Sequence, residues 1–115
     1  MRTKPTRFYS NKQEQEVSKI LDGKRVANSG AATFVGGDVQ TDLFLIECKT
    51  STTQRQSMSI KCEWLDKLEE ERVGMKKKYK ALVFDFGPNT DRHYVIDEKL
   101  FRKLNDYMKE EYNGN

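Results

Sequence analysis

Gly36-Gly37-Asp38-Val39-Gln40-Thr41-Asp42-Leu43-Phe44-Leu45-Ile46-Glu47-Cys48-Lys49 reads as a tight β-hairpin, with a turn around residues 40–43 and a strand over residues 43–50. Side chains alternate along a strand, so Leu43 and Leu45 share one face while Phe44 and Ile46 share the other. A strand apolar on both sides belongs in the middle of a sheet, covered on both faces. Glu47 and Lys49 continue the row of Leu43 and Leu45, so this buried strand ends in two opposite charges on one face. Asp38 lies nine residues before Glu47, which brings it within a residue or two of opposite that position across the hairpin.

The flanking sequence supplies the rest of an α/β layer structure. Residues 1–10 read as a basic arm. Asn11 resembles an N-cap with Glu14 as its capping-box partner, and a helix over residues 12–21 carries Val17, Ile20 and Leu21 before Gly23 stops it. A short strand over 24–27 is followed by a Ser, Ala and Gly-rich stretch over 28–37. Beyond the hairpin come a polar loop at 51–56, a short strand at 57–60, and a helix over 61–73 bearing Trp64, Leu65 and Leu68 that ends near Gly74. A second apolar strand spans 79–86, a turn 87–91 and a further strand 93–96. Asp97 caps a last helix whose Leu100, Phe101, Leu104, Tyr107, Met108 and Tyr112 form one amphipathic face. The order α-β-β-β-α-β-β-α describes a small α/β sandwich, a mixed central sheet flanked by helices, with residues 11–115 as a single domain behind the arm.

Composition excludes several function classes. The longest aliphatic or aromatic runs, Leu43 to Ile46 and Ala81 to Phe84, are four residues each, far below the roughly 20 a membrane span needs. No apolar stretch follows the basic N-terminus, so no secretory signal is expected. Two cysteines and one histidine cannot build a four-ligand zinc site or a disulfide framework, which points to a reducing, cytoplasmic setting. No phosphate-binding Gly-x-x-x-x-Gly-Lys loop occurs. Catalysis, if present, rests on carboxylates and lysines. The net charge of +3 is mild, but its distribution is uneven. Arg2, Lys4, Arg7 and Lys12 form one cluster and Lys76, Lys77, Lys78 and Lys80 another, while Asp66 and Glu69 to Glu71 gather elsewhere. Segregated charge of this kind suits a polyanion such as nucleic acid.

The hairpin end carries the chemistry. Two carboxylates at about 4 Å repel by roughly 4 kcal/mol at an effective dielectric of 20. Rigid strands cannot swing them apart, so one pKa rises, Lys49 neutralises the pair, or a divalent cation binds. Hard oxygen ligands without a nearby imidazole favour Mg²⁺, with Mn²⁺ as a substitute. Such an ion activates water and offsets charge on phosphorus. Lys49 beside it would position or help deprotonate that water, or stabilise developing charge. Asp42 competes with Asp38 but falls inside the turn, where Asp is expected anyway. Cys48 faces away from Lys49 into the core. His93, among Tyr94, Val95 and Ile96, reads as structural, and Trp64 and the Met108/Tyr112 stripe as core or dimer seam.

Gly37-Asp38 followed by Glu47-Cys48-Lys49 resembles the PD-(D/E)xK nuclease signature. The first-helix segment Glu14-Gln15-Glu16-Val17-Ser18-Lys19-Ile20-Leu21 is similar to the acid motif of archaeal-type Holliday junction resolvases, and Arg25-Val26-Ala27-Asn28-Ser29-Gly30 to the Arg…Ser-Gly segment ahead of their catalytic Asp. The stretch from Lys61 through Leu68 and Gly74 to Phe84 follows the same family's helix, glycine and strand, so the resemblance covers roughly residues 12 to 97. Two departures stand out: Gly37 replaces the usual Pro, and the segment between Ser29-Gly30 and Asp38 is longer.

The resemblance implies a restriction-endonuclease-like core, as in compact phage and bacterial relatives. It also implies a Mg²⁺-dependent endonuclease acting on four-way or other branched DNA in recombination and repair. Asp38 and Glu47 would be metal ligands together with the Cys48 backbone carbonyl, Glu14 would complete the shell with Glu16 as runner-up, and Lys49 would be the catalytic lysine. Arg25 and Ser29 would lie near the phosphate. Arg2, Lys4, Arg7, Lys12, Arg55, Lys61 and the Lys76–Lys80 cluster would meet the DNA backbone. Paired cuts in opposing strands imply a homodimer. Cleavage of other repair intermediates or duplex, and a non-catalytic DNA-binding module, are the alternatives.

Overall fold

A computed structural model of the chain describes residues 6–27 and 37–114. The elements run α1 (Thr6–Ile20), β1 (Lys24–Arg25), β2 (Val39–Gln40), β3 (Phe44–Lys49), α2 (Cys62–Gly74), β4 (Tyr79–Phe84), β5 (His93–Val95) and α3 (Glu98–Asn113). They form an α/β fold around one five-stranded mixed sheet in the order β1-β2-β3-β4-β5. Only β3 and β4 are parallel, because the α2 crossover connects them; the other neighbouring pairs are antiparallel, β2 and β3 through the short turn at residues 41–43.

Strand β3 is central, and its alternation divides the core. Ile46 and Cys48 pack with Val39, Ala81, Val83 and Val17 of α1 on one face. Leu45 packs with Leu82 and Leu68 of α2 on the other. Val17, Leu45, Leu82 and Val83 are wholly buried. Burying a side chain of this kind stabilises the fold by about 1.5–3 kcal/mol. Among the described residues no helix is long and apolar enough to cross a membrane.

Three expectations need correction. The arm does not reach residue 10, because α1 begins at Thr6. Nothing from Arg7 to Asn11 breaks a helix: the Ser10 hydroxyl donates to the Arg7 carbonyl inside the helix, and the Asn11 side chain accepts from Arg25 rather than capping. Arg2 and Lys4 lie outside the described residues. Residues 57–60 form no strand, since both hydrogen-bonding edges of β3 are already taken, by β2 and β4. Ile60 packs its side chain on the Leu45 cluster instead. Finally, β4 stops at Phe84 because the Asp85 carboxylate turns inward. There it accepts bonds from Thr50 Oγ1 (2.6 Å), Gln13 Nε2 (3.2 Å) and the Gly87 amide (2.9 Å).

Candidate active site

The register that pairs Val39 with Ile46 carries Asp38 to the position facing Glu47, and the Asp38 amide donates to the Ile46 carbonyl at 2.8 Å. Asp38 Oδ2 accepts from the Cys48 amide at 2.8 Å, which fixes the carboxylate against β3 and leaves its second oxygen outside that bond. Gly37 sets up this approach. Its φ of 70° is closed to proline, whose ring holds φ near −65°, and a Cβ there would sit 2.7 Å from Leu45 Cδ1. The residue standing where the resembled family has Pro therefore takes a different backbone conformation.

Glu47 bears the strain of this arrangement. Burial raises its pKa from 4.5 to about 7, and the Asp38 charge pushes in the same direction. Part of the rise comes from a hydrogen bond to Asp38, a bond that exists only while one carboxyl keeps its proton. Lys49 opposes the rise, with Nζ 3.4 Å from Glu47 Oε2. Two of the three remedies open to a crowded carboxylate pair are thus in use together. Burial also pushes the Cys48 thiol up, helped by Asp38, Glu14 and Glu47, so it is a packed, inert group on the opposite face of β3.

Glu14 approaches from α1. Burial and the Asp38 charge raise its pKa, while Arg25 and Arg7 pull it back. Its Oε1 accepts from Arg25 Nη2 at 2.9 Å, so Arg25 engages an acid as well as Asn11. Glu16 points elsewhere and pairs with Arg92 at 2.8 Å. Asp42 is exposed in the hairpin turn, at the other end of β3 from Glu47. Ser29 lies outside the described residues.

Two features escaped the sequence reading. Lys49 Nζ sits 4.2 Å above the Trp64 ring, and Lys61 Nζ lies 5.7 Å from the same ring. A cation over an aromatic face gains about 0.5–2 kcal/mol, so Trp64 and Glu47 together fix the Lys49 ammonium. Strand parity contained this signal, because α2 covers the very face that Leu45, Glu47 and Lys49 share. The second feature is a buried polar post. Gln13, 4% exposed, donates to the Lys49 carbonyl at 2.8 Å and to Asp85, tying α1 to the end of β3. A glutamine on a helical stripe with Val17 carried no mark of this in sequence.

The cations divide by position. Arg7 acts on Glu14, and Lys12 shares a groove with Thr50 and Asp85. Arg55 donates to Ser51 Oγ at 2.8 Å just past β3, and Lys61 flanks Trp64. With Arg25 on Glu14, each of them touches a residue that flanks the acid pair or follows the end of β3. The Lys76–Lys80 cluster does not, because the parallel register sets Tyr79 beside Phe44 and Lys80 beside Leu45. Glu47 to Lys49 lie two to four residues further along, roughly 7–13 Å at strand rise. Lys80 is also spent on Glu69 and Asp97, and Lys77 on the Thr41 carbonyl. His93 stacks near Phe84 and Phe86, in keeping with a structural part.

Among the described residues no three His, Cys, Asp or Glu side chains converge as a ready metal cage. Asp38 and Glu47 alone form a hard-oxygen pair, the donor type suited to an ion that keeps waters and takes substrate phosphate as further ligands. The chain matches no family model, no curated protein and no solved structure.

Proposed function

We propose that the chain is a divalent-metal-dependent endodeoxyribonuclease that hydrolyses phosphodiester bonds in branched DNA, resembling Holliday junction resolvases, on a core of the restriction-endonuclease kind. The observation that carries this reading is the juxtaposition of Asp38 and Glu47 on facing strand positions, with Lys49 on the same face as Glu47 and held against it. A surface ion pair is worth at most about 1 kcal/mol, too little to account for a carboxylate held buried against another carboxylate.

In this reading Asp38, Glu47 and the Cys48 carbonyl hold Mg²⁺ or Mn²⁺, with Glu14 reaching it directly or through water. The bound ion supplies Lewis acidity toward the phosphate and an acidified water. The protein does the rest. The Cys48 amide orients Asp38, and a cation held between Asp38 and Glu47 would offset the burial and the Asp38 charge that raise the Glu47 pKa, favouring its carboxylate form. Lys49, pinned by Glu47 and Trp64, presents a fixed positive charge where negative charge develops on the phosphate. Arg7, Lys12, Arg55 and Lys61 meet the backbone without reading sequence. Resolution of a four-way junction takes two such sites, hence a homodimer. The lack of a three-ligand cage among the described residues favours one competing reading, a DNA-binding module without activity.

The test is cleavage of four-way junction, flap, single strand and linear duplex by one purified preparation with Mg²⁺. Wild type should cut the branched substrates. Asp38→Asn and Lys49→Ala should each lose at least about 100-fold in rate while junction binding survives. Cutting at the wild-type rate by either variant refutes the assigned site, and binding without cutting by wild type supports the inactive module.

A further inference from the structure

The end of β3 that carries the acid pair and Lys49 is held by side chains as well as by the sheet. Pairing with β2 stops at the Val39 and Ile46 pair, so residues 47–49 extend beyond it. Two side chains take over along that stretch. Asp38 Oδ2 accepts from the Cys48 amide at 2.8 Å, and Gln13 Nε2 of α1 donates to the Lys49 carbonyl at 2.8 Å. The same Gln13 amide donates to Asp85 Oδ2 at 3.2 Å, while Asp85 Oδ1 accepts from Thr50 Oγ1 at 2.6 Å and from the Gly87 amide at 2.9 Å. One buried carboxylate, 8% exposed, thus joins α1, the residue after β3 and the turn after β4.

Stability alone does not account for this polar knot. Burying a carboxylate and an amide gives up their hydration, and Gln13 Oε1 recovers no hydrogen bond among the described residues. Val17, wholly buried, already packs α1 on the sheet. Apolar side chains in place of a buried polar set are often neutral or stabilising. What apolar packing lacks is direction. Hydrogen bonds fix an atom in distance and in angle, and the atoms fixed here belong to Lys49 and Thr50. Gln13 also adjoins Glu14 on α1, so the knot sets the first-helix acid and the lysine in one frame. Lys49 in turn holds its ammonium 4.2 Å from the Trp64 ring and 3.4 Å from Glu47 Oε2.

We infer that Gln13 and Asp85 are positioning residues: their buried hydrogen bonds aim Lys49 at Trp64 and Glu47 and keep α1, with Glu14, in register with it. As part of a nuclease site this rests on the reading above. As a statement about Lys49 it stands on the hydrogen bonds themselves.

Trp64 is the only tryptophan of the chain, so its fluorescence in chelator-treated protein reads the Lys49 contact without metal or DNA. Lys49→Met, which takes the ammonium off the ring, sets the reference shift in emission. Gln13→Met removes both donated bonds and Thr50→Val removes one bond to Asp85, each at similar volume. Both should shift the emission toward that reference, and Gln13→Met should add nothing to Lys49→Met in the double variant. Circular dichroism confirms that each variant is folded, and Thr50→Val, the milder change, carries the test if Gln13→Met does not fold. Wild-type emission in the folded variants, or additive shifts in the double variant, would overturn the inference, because a purely stabilising knot leaves the native spectrum alone. Mg²⁺-supported cutting of a four-way junction reads the nuclease separately. Gln13→Met should lose at least about tenfold in kcat with KM for the junction unchanged. An unchanged kcat, where wild type cuts, would also overturn the positioning. A wild type that never cuts, with the emission shifted as expected in the variants, refutes the nuclease and leaves the positioning of Lys49 standing.

Discussion

Glu47 sits at the end of a strand whose preceding three residues are apolar, and the same face then carries Lys49. That period-2 placement was legible in the sequence. How close Asp38 comes was not, since it depends on the hairpin register and on the left-handed backbone of Gly37. The consequence for pH is specific. Unfolded, Glu47 ionises near 4.5; folded and metal-free, it ionises near 7. The native state holds the extra proton between those values, so the contribution of Glu47 favours folding fully below about pH 4.5 and is lost as pH rises through about 7. In chelator-treated protein, the Tm of wild type relative to Glu47→Gln should therefore fall as pH is raised from 4.5 to 7. Parallel Tm profiles for the two proteins across that window would contradict the raised pKa. Trp64 teaches a complementary lesson. Its spacing with Leu65 and Leu68 reads as ordinary core, and only the pairing of α2 with one named face of β3 sets its ring under Lys49.

Among the elements, the hairpin was the most readable and the ends of helices the least. The alternation of residues 43–46 identified β3 as central, and the α-β-β-β-α-β-β-α order stands as the sequence implied. The start of α1 was misplaced because Asn11 and Glu14 mimic a capping box, whereas both side chains serve Arg25 instead. Residues 57–60 could not pair with β3, whose two edges β2 and β4 already occupy. The parallel register, which the sequence did not reveal, sets the lysine cluster at the start of β4 at the other end of the strands from the acid pair. The turn into β2 carries its own prediction. Gly37→Ala must hold an L-residue at φ 70° and press a methyl group against the wholly buried Leu45. The expected loss is about 1–2 kcal/mol from the backbone alone, seen as a lower midpoint in urea, with metal binding weakened as Asp38 shifts. An unchanged midpoint would show that the glycine is dispensable there.

Across the whole molecule, the proposed function depends on bringing one crowded acid pair and one fixed lysine to the same end of a sheet. Arg7, Lys12, Arg25, Arg55 and Lys61 come from three separate segments, and folding sets Arg7 and Arg25 on Glu14, Lys12 and Arg55 beside residues just past β3, and Lys61 beside Trp64. The proposed function presupposes that the acid pair receives a doubly charged ion. Calorimetric titration of Mn²⁺ into the full chain, with and without four-way junction DNA, tests that most directly. Saturable binding to wild type that disappears in both Asp38→Asn and Glu47→Gln is the predicted result. Absence of binding under either condition, or binding undiminished in both variants, would contradict it.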